Sequence, residues 1–443
     1  MRRARARRIA VLAAPIVGGM ISQNALQLVD AAMVGALGTT ALAGVGLAAF
    51  PFFVSFALLL GLAPAVQALA ARRLGEGQVE RAGEGLHHAL LVGLVVAVPA
   101  MLLLGGLAPA FFRWMHDDPA VRAHAVPYFQ VRTAAIAAIA VEQAFRGFWN
   151  GVQRPSVHFV SMLVVHVLNI VLSYGLIFGV AGLPELGSTG AGVGSAVATW
   201  VGVGVQLAFG LSVGRGFGFL RAWVAPTRAA LAPLLKVFLP AGLQELLFAL
   251  GLTAFFWIIG RLGTAEVAAG MVIIQVTMVA VLPGAGLGHA AASLVGEALG
   301  RGDPDDARRW GWDVVLLGVA SMAVLGLPML LFPDAILRVF LYDDLETIAL
   351  ARVPLQLVGA TVGLDAVGLV LMNGLLGAGD ARSVAAVVVV FQVLLFLPAA
   401  WIVGPLLGFG LLGIALAQVG QRLGQALAFV VIWQRGRWTT VEL

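Results

Sequence analysis

The feature that most constrains this chain is a series of long apolar runs that recurs from one end to the other. Only 11% of the 443 residues are charged and 60% are hydrophobic, whereas a soluble globular chain is about 25% charged and 45–50% apolar. As a helix, a run of about 18 residues or more crosses the roughly 30 Å hydrocarbon core of a bilayer. The runs are too long and too uniformly apolar for the alternating strands of a β-barrel. The sequence therefore predicts an all-α polytopic membrane protein.

Several classes of chemistry are absent from the sequence. There is no cysteine, which excludes disulfides and thiolate catalysis. There is also no GxxxxGK[ST] phosphate loop and no HExxH zinc motif, so neither ATP hydrolysis nor zinc chemistry is supported. The net charge of +5 is typical of basic cytoplasmic loops rather than of nucleic-acid binding. We expect a lipid-embedded protein that is not an enzyme, with no cofactor, no nucleic-acid partner and no obligate protein partner.

Glycine and proline divide the apolar sequence into twelve predicted helices. Their predicted spans are 9–37, 40–72, 86–113, 120–150, 154–180, 188–215, 229–262, 264–299, 307–332, 345–377, 380–406 and 410–435. We interpret the basic start MRRARARR as the anchor of a retained first helix rather than as a signal peptide. With the N terminus in the cytoplasm, most arginines fall in cytoplasmic segments, as the positive-inside rule requires. The predicted location is the inner cell membrane, multi-pass, with both termini cytoplasmic.

The second half of the chain repeats the first. The tripeptide LGT at 37–39 recurs at 262–264, an offset of 225 residues that also aligns other landmarks. Because six helices per half is an even number, both halves have the same topology and form a parallel repeat. We predict two six-helix lobes related by pseudo-two-fold symmetry, at 1–215 and 229–443, joined by a cytoplasmic linker at 216–228. Duplicated lobes of this kind favour a transporter.

Four acidic residues, Asp30, Glu142, Glu245 and Asp365, fall well inside predicted helices. A charge at the bilayer centre costs about 3 kcal/mol on insertion scales, so such side chains normally face a bundle interior or a wet cavity. The alternative is that they are protonated. Both states suit groups that bind and release protons or cations. Since no ATP site is present, uphill transport would draw on an ion gradient, and we predict that Asp30, Glu245 and Asp365 couple to it.

Asp30 and Glu142 differ in their sequence surroundings. Asp30 shares one helix face with Gln23 and Gln27, which predicts a polar stripe on an otherwise apolar helix. A structural carboxylate bonded across helices is the alternative reading. Glu142 lies one turn before Arg146, a favourable i,i+4 spacing, so a structural ion pair is favoured there over a functional acid. The remaining buried candidate, the histidine at position 166, is predicted to be a satisfied interior histidine.

Four motifs, in order along the chain, resemble the multidrug and toxin extrusion (MATE) family. LVDAAMVGALG at 28–38 is similar to the first-helix signature of the family, and LNIVLSYGLIFG at 168–179 to its fifth helix. NGVQRP at 150–155 and GLLGAGDAR at 374–382 resemble the paired glycine-rich turns after the fourth and tenth helices. The resemblance covers essentially the whole chain and is NorM- and DinF-like. It implies a two-lobe fold that exports amphipathic, often cationic compounds in exchange for Na⁺ or H⁺ as the lobes rock.

The resemblance also implies roles for individual residues. Asp30 would be the coupling carboxylate of the N-lobe, and Glu245 and Asp365 match acids that bind the cation in the C-lobe, here a possible Na⁺ site. The chain departs from the family at Ser173, where some relatives have a second acid, and at Thr361, where NorM-type members tend to have tyrosine. The amides predicted to contact the substrate are Gln23, Asn24, Gln27, Asn169, Gln275 and Asn373.

Two other functions compete with export of drugs. A lipid-linked oligosaccharide flippase of the same broad superfamily should have a basic cavity, but deep in the predicted helices we find chiefly Arg132 and Arg422 against three or four acids. A membrane receptor or scaffold would have no reason to retain acids inside duplicated lobes. We therefore expect an antiporter whose partners are small-molecule drugs or toxins and the lipid bilayer, with either H⁺ or Na⁺ as the coupling ion.

Overall fold

The structure is a computed structural model that describes residues 3–220, 225–342 and 344–443, and nearly all of it is helical. The first half contains α1 (Arg3–Gly35), α2 (Thr39–Gly75), α3 (Val79–Met115), α4a (Pro119–Thr133), α4b (Ile136–Gly151), α5 (Pro155–Phe178) and α6 (Ser188–Phe217). The second half contains α7 (Arg228–Gly260), α8 (Thr264–Gly300), α9 (Pro304–Leu331), α10 (Leu345–Ala378), α11 (Ala381–Leu406) and α12 (Gly410–Arg435). A short helix, Pro333–Leu341, lies between α9 and α10 in the chain.

The predicted helices are confirmed except for the fourth, which was predicted as one span over 120–150. Among the described residues, eleven helices are long and apolar enough to cross a membrane; the fourth is interrupted after Thr133. The amide of Ala134 donates to the carbonyl of Val131, and that of Ala135 to Arg132, so both bonds run from residue i to i−3. This tightened turn breaks the α-helical ladder. Part of the predicted linker, residues 221–224, lies outside the described residues.

The chain divides into two compact units. Unit 1 comprises Met1–Val17 and Leu243–Leu443, and unit 2 comprises Gly18–Gly242. Both boundaries fall inside a helix, one in α1 and the other in α7, and they are equivalent in the repeat because Gly18 and Leu243 are 225 positions apart. Each unit therefore combines the start of a helix from one half with most of the other half. The lobe boundaries at 216–228 stay a prediction.

Within unit 1, the first turns of α1 are held by ion pairs. The Nη1 atom of Arg5 lies 2.6 Å from Oδ1 of Asp306, and its Nε lies 2.5 Å from Oδ2 of Asp313. The same guanidinium stacks on Trp310, with 3.6 Å between Cζ and the ring centroid. One turn later, Arg8 pairs with Glu297 at 2.5 Å. The basic start of the chain is therefore anchored to the end of α8 and the beginning of α9.

We expect Arg5→Gln to lower the thermal unfolding temperature by about 2–4 °C, because it removes two charged hydrogen bonds and a cation–π contact. These groups are about one-fifth exposed, so screening by solvent reduces the loss. Arg7→Gln is the matched control, since Arg7 is exposed and makes no ion pair within the described ranges. Tryptophan fluorescence of the detergent-solubilised protein measures both transitions. Equal transitions in the two variants would contradict the assignment.

Candidate functional site

Asp30 lies in the part of α1 that belongs to unit 2 and is half-buried. Its Oδ1 atom is buried and has no hydrogen-bond partner in the described part of the chain. Arg132, near the end of α4a, is close enough to act on the carboxylate electrostatically, and its guanidinium stacks over Phe52 at 4.4 Å from the ring centroid. A buried acceptor without a donor costs about 1–3 kcal/mol, and more when it is charged. The site is therefore ready to receive a proton or a cation.

The polar stripe that precedes Asp30 is only partly available to a ligand. Gln23 contacts Nε2 of His166 at 3.1 Å through its Oε1, and the hydroxyl of Ser22 contacts Nδ1 of the same ring at 2.7 Å. Asn24 donates to a backbone carbonyl of its own helix at 2.8 Å. Gln27 is exposed. The prediction that His166 is a satisfied interior histidine is confirmed, because it is buried and both ring nitrogens are bonded.

Asn169, another predicted substrate contact, belongs to a closed polar cluster in unit 2. Its Nδ2 atom donates to the hydroxyl of Ser195 at 3.0 Å, and the hydroxyl of Ser173 donates to its Oδ1 at 3.2 Å. All three residues are buried. The bond from Asn169 to Ser195 therefore links α5 to α6, and Ser173 supports Asn169 from within α5.

The predicted ion pair between Glu142 and Arg146 is not the contact that Glu142 makes. Its Oε2 atom accepts a hydrogen bond from Gln206 at 3.1 Å and lies 4.0 Å from Nδ1 of His158. An added Cβ at Gly202 would lie 2.7 Å from Oε1, so the carboxylate points across to α6. Arg146 is one turn away on the same helix, but the Glu142 side chain points instead towards His158 of α5 and Gln206 of α6.

In unit 1, Asp365 of α10 forms an ion pair with Arg422 of α12. The guanidinium donates from Nη1 to Oδ2 of the carboxylate, whose side chain is only 9% exposed. The sequence placed both residues deep in helices but gave no sign of the pairing, because they are far apart in the chain. A sodium ion needs several free oxygen ligands and would meet the fixed positive charge of Arg422. These donors do not fit Na⁺, and the contact argues against the predicted sodium role of Asp365.

The other predicted residues of unit 1 lie in different environments. Glu245 is half-buried in α7, and the amide of its neighbour Gln244 reaches the sulfur of Met372 at 3.8 Å. Gln275 is exposed on α8. Asn373 is buried and donates to a carbonyl of its own helix at 2.9 Å. Two of the six predicted amides, Asn169 and Asn373, are thus buried and occupied by internal hydrogen bonds.

A cavity of about 110 Å³ lies in unit 1, between residues of α7, α8, α11 and α12. Its walls are mainly apolar and include the rings of Phe248, Phe255 and Phe396. Its polar side chains are those of Gln392, Gln418, Arg422 and Thr277, and the hydroxyl of Thr277 donates to a carbonyl of its own helix. Sequence reasoning singled out only the arginine. The available signal was the lone glutamine in VVFQVLLF, a stretch that forms a π-helix, a conformation often found at functional sites.

Relatives of known name and fold match this chain along most of its length. A "Probable multidrug resistance protein NorM" from Bradyrhizobium diazoefficiens is 31% identical over 91% of this chain and 87% of its own. Another from Pseudomonas putida is 29% identical over 98% of this chain and 94% of its own. A solved outward-facing multidrug resistance MATE family transporter has a TM-score of 0.88 at 22% identity, over 98% of this chain and 95% of its own. The last likeness confirms the predicted two-lobe MATE-like fold.

The family model named MatE matches the chain twice. The matches cover residues 15–175 and 240–402. Their starting points are 225 residues apart, which is the offset of the internal repeat found in the sequence. Because these two matches together span well over half of the chain, and because relatives about 30% identical cover nearly all of it, the chain belongs to the MatE family of membrane transporters.

Proposed function

We propose that this protein is a secondary active multidrug exporter that exchanges amphipathic, cationic compounds for protons bound at Asp30. The names of its relatives, multidrug resistance proteins, support export of small molecules. The observation that carries the coupling site is the buried Oδ1 of Asp30, which has no hydrogen-bond partner among the described residues. The proposed location is the inner cell membrane with both termini in the cytoplasm, as the arginine distribution favours.

A proton suits the surroundings of Asp30 better than a metal cation does. Protonation satisfies a carboxyl group with one covalent bond, whereas a hard metal cation takes several oxygen ligands. We therefore favour H⁺ over Na⁺ as the coupling ion.

Exchange follows if the proton and the substrate compete for the same carboxylate. The deprotonated form attracts an organic cation, and the protonated form releases it. A bound ion shifts a conformational equilibrium only by its difference in affinity for the two states, so the two forms of Asp30 would favour opposite access states. Gln27, exposed one turn before Asp30, offers a neutral amide on the same helix face.

The test is efflux from proteoliposomes that contain the purified full-length chain and a fluorescent cation such as ethidium. A pH gradient and a sodium gradient of equal size are imposed separately, with the membrane potential clamped. We expect the pH gradient to accelerate efflux and, for each unit of pH, to sustain a concentration difference of the cation of about tenfold, since a tenfold ion ratio supplies about 1.4 kcal/mol per exchanged ion. Acceleration by the sodium gradient alone would mean that Na⁺, and not H⁺, is the coupling ion. Acceleration by neither gradient would contradict the proposal that the protein is an antiporter.

A further inference from the structure

The cavity of unit 1 contains a guanidinium group that its ion pair only partly occupies. Arg422 donates to Asp365 through Nη1, but a guanidinium carries five N–H donors. The Arg422 side chain is 23% exposed and lines the cavity. The guanidinium nitrogens that do not contact Asp365 are not among the described atoms that are both buried and without a hydrogen-bond partner. The free donors of Arg422 are therefore accessible from the cavity.

Two side-chain amides accompany Arg422. Gln418 lies one turn earlier on α12, so the two side chains share a face, and Gln392 comes from the π-helical stretch of α11. Neither amide makes a side-chain hydrogen bond to another described residue. Gln392 packs against α7, where an added Cβ at Gly251 would lie 3.0 Å from its Nε2. Three groups from two helices thus present hydrogen-bond donors to one apolar cavity.

The apolar part of the cavity is lined by aromatic rings. Phe255 and Phe396 pack against each other with 5.7 Å between their ring centroids and 32° between their planes, so they form one aromatic wall, and Phe248 lines the same space. An aromatic group in the cavity would pack favourably against such a wall. The volume of about 110 Å³ is below that of a pocket for a whole drug-sized molecule. It is closer to the size that holds a small aromatic group.

We propose that this cavity binds an aromatic carboxylate, with its ring among Phe248, Phe255 and Phe396 and its carboxylate on Arg422. A cation would meet the positive charge of Arg422, whereas a carboxylate gains a charge-assisted hydrogen bond. Asp365 is a positioning residue in this site: it orients the guanidinium and competes with the ligand for its donors. The site lies within unit 1 and takes an anion, so it goes beyond the proposed function and does not depend on Asp30.

The ligand class is tested with three benzenes that differ only in their polar group. Benzoate, benzamide and a phenyltrimethylammonium salt are titrated against the purified full-length chain in detergent by isothermal titration calorimetry. We expect benzoate to bind about tenfold or more tightly than the amide and the ammonium, because a hydrogen bond to a charged group contributes at least that factor. Equal or tighter binding of the ammonium would overturn the proposal, as would an absence of benzoate binding.

The roles of the two charged residues predict opposite effects. Arg422→Gln is expected to weaken benzoate binding about tenfold or more and to leave benzamide binding within about twofold. Asp365→Asn is expected to tighten benzoate binding, because it removes the competing carboxylate. A site in which the ion pair serves only the fold would lose both ligands equally in both variants, and that result would overturn the assignment.

Two further variants separate the site from general effects on the fold. Arg352→Gln breaks another arginine–aspartate pair of unit 1, with Asp334, outside the cavity, and is expected to leave benzoate binding unchanged. If Arg422→Gln fails to fold, Gln418→Leu keeps the ion pair and should still weaken benzoate binding about threefold or more. Unchanged binding in Gln418→Leu and Arg422→Gln would refute the site. Because the binding assay uses no ion gradient, its result is independent of the efflux test of Asp30, which distinguishes failure here from failure of the antiporter.

Discussion

Asp30→Asn is expected to abolish efflux driven by an ion gradient, with a loss of at least about tenfold, while the protein still folds and inserts. Asparagine has nearly the same shape as aspartate, so the packing of α1 is preserved. It cannot bind and release a proton, so the side chain stays neutral in both access states. Without a change of charge, the coupling ion has no differential affinity for the two access states and cannot shift the equilibrium between them.

The measurement is ethidium efflux from proteoliposomes under an imposed pH gradient, normalised to the amount of folded protein. Asp117→Asn is the matched control, because Asp117 belongs to the same unit but is exposed in the connection between α3 and α4a. Asp117→Asn should transport at the wild-type rate. Full pH-driven activity in Asp30→Asn would remove this carboxylate from the mechanism.

Asp30 could be found from the sequence because its signal is local. A carboxylate inside a long apolar run is energetically costly whatever the helix packs against, so its position in the sequence is enough to identify it as a candidate functional residue. The same local logic predicted the helix spans, apart from small shifts such as the start of α1 at Arg3 rather than at residue 9. It failed between Thr133 and Ile136, because the segment TAAIAA at 133–138 contains no proline or glycine that would mark the break.

The contacts of the other intramembrane acids could not be predicted, because their partners come from distant parts of the chain. Glu142 has a basic residue one turn away, yet it bonds to Gln206 on α6. Asp365 looked like a free carboxylate, yet Arg422 on another helix neutralises it. Spacing identifies neighbours on one helix, whereas tertiary packing decides which of several candidates a long side chain reaches.

The duplicated fold has acquired different chemistry in its two halves. At the repeat offset of 225, Asp30 of α1 corresponds to Phe255 of α7. The first is a half-buried carboxylate in unit 2, and the second is part of the aromatic wall of the unit 1 cavity. Equivalent helix positions thus carry an acid in one unit and a ring beside an arginine in the other. This asymmetry is why we assign the exchanged cation to unit 2 and an anionic ligand to unit 1.

The second large effect is expected from adding one methyl group where α2 and α7 touch in unit 2. Gly61 ends the short 3₁₀ segment Leu58–Gly61 within α2. A Cβ at Gly61 would lie 2.6 Å from the Cα of Gly242 and 2.7 Å from the carbonyl oxygen of Phe238. These are backbone atoms, which cannot move aside as a flexible side chain can. Small residues permit this close approach of membrane helices.

We expect Gly61→Ala to destabilise the protein by about 1–3 kcal/mol, the usual cost of overpacking, and to reduce the yield of folded protein. Gly204→Ala adds the same methyl group to α6 at a position with nothing within 4 Å. Since alanine favours a helix over glycine by about 1 kcal/mol, this control should be as stable as the wild type or more stable. Thermal unfolding in detergent measures both variants. Because helix propensity and crowding act in opposite directions, equal stability of the two variants would show that α2 and α7 are not in backbone contact at Gly61.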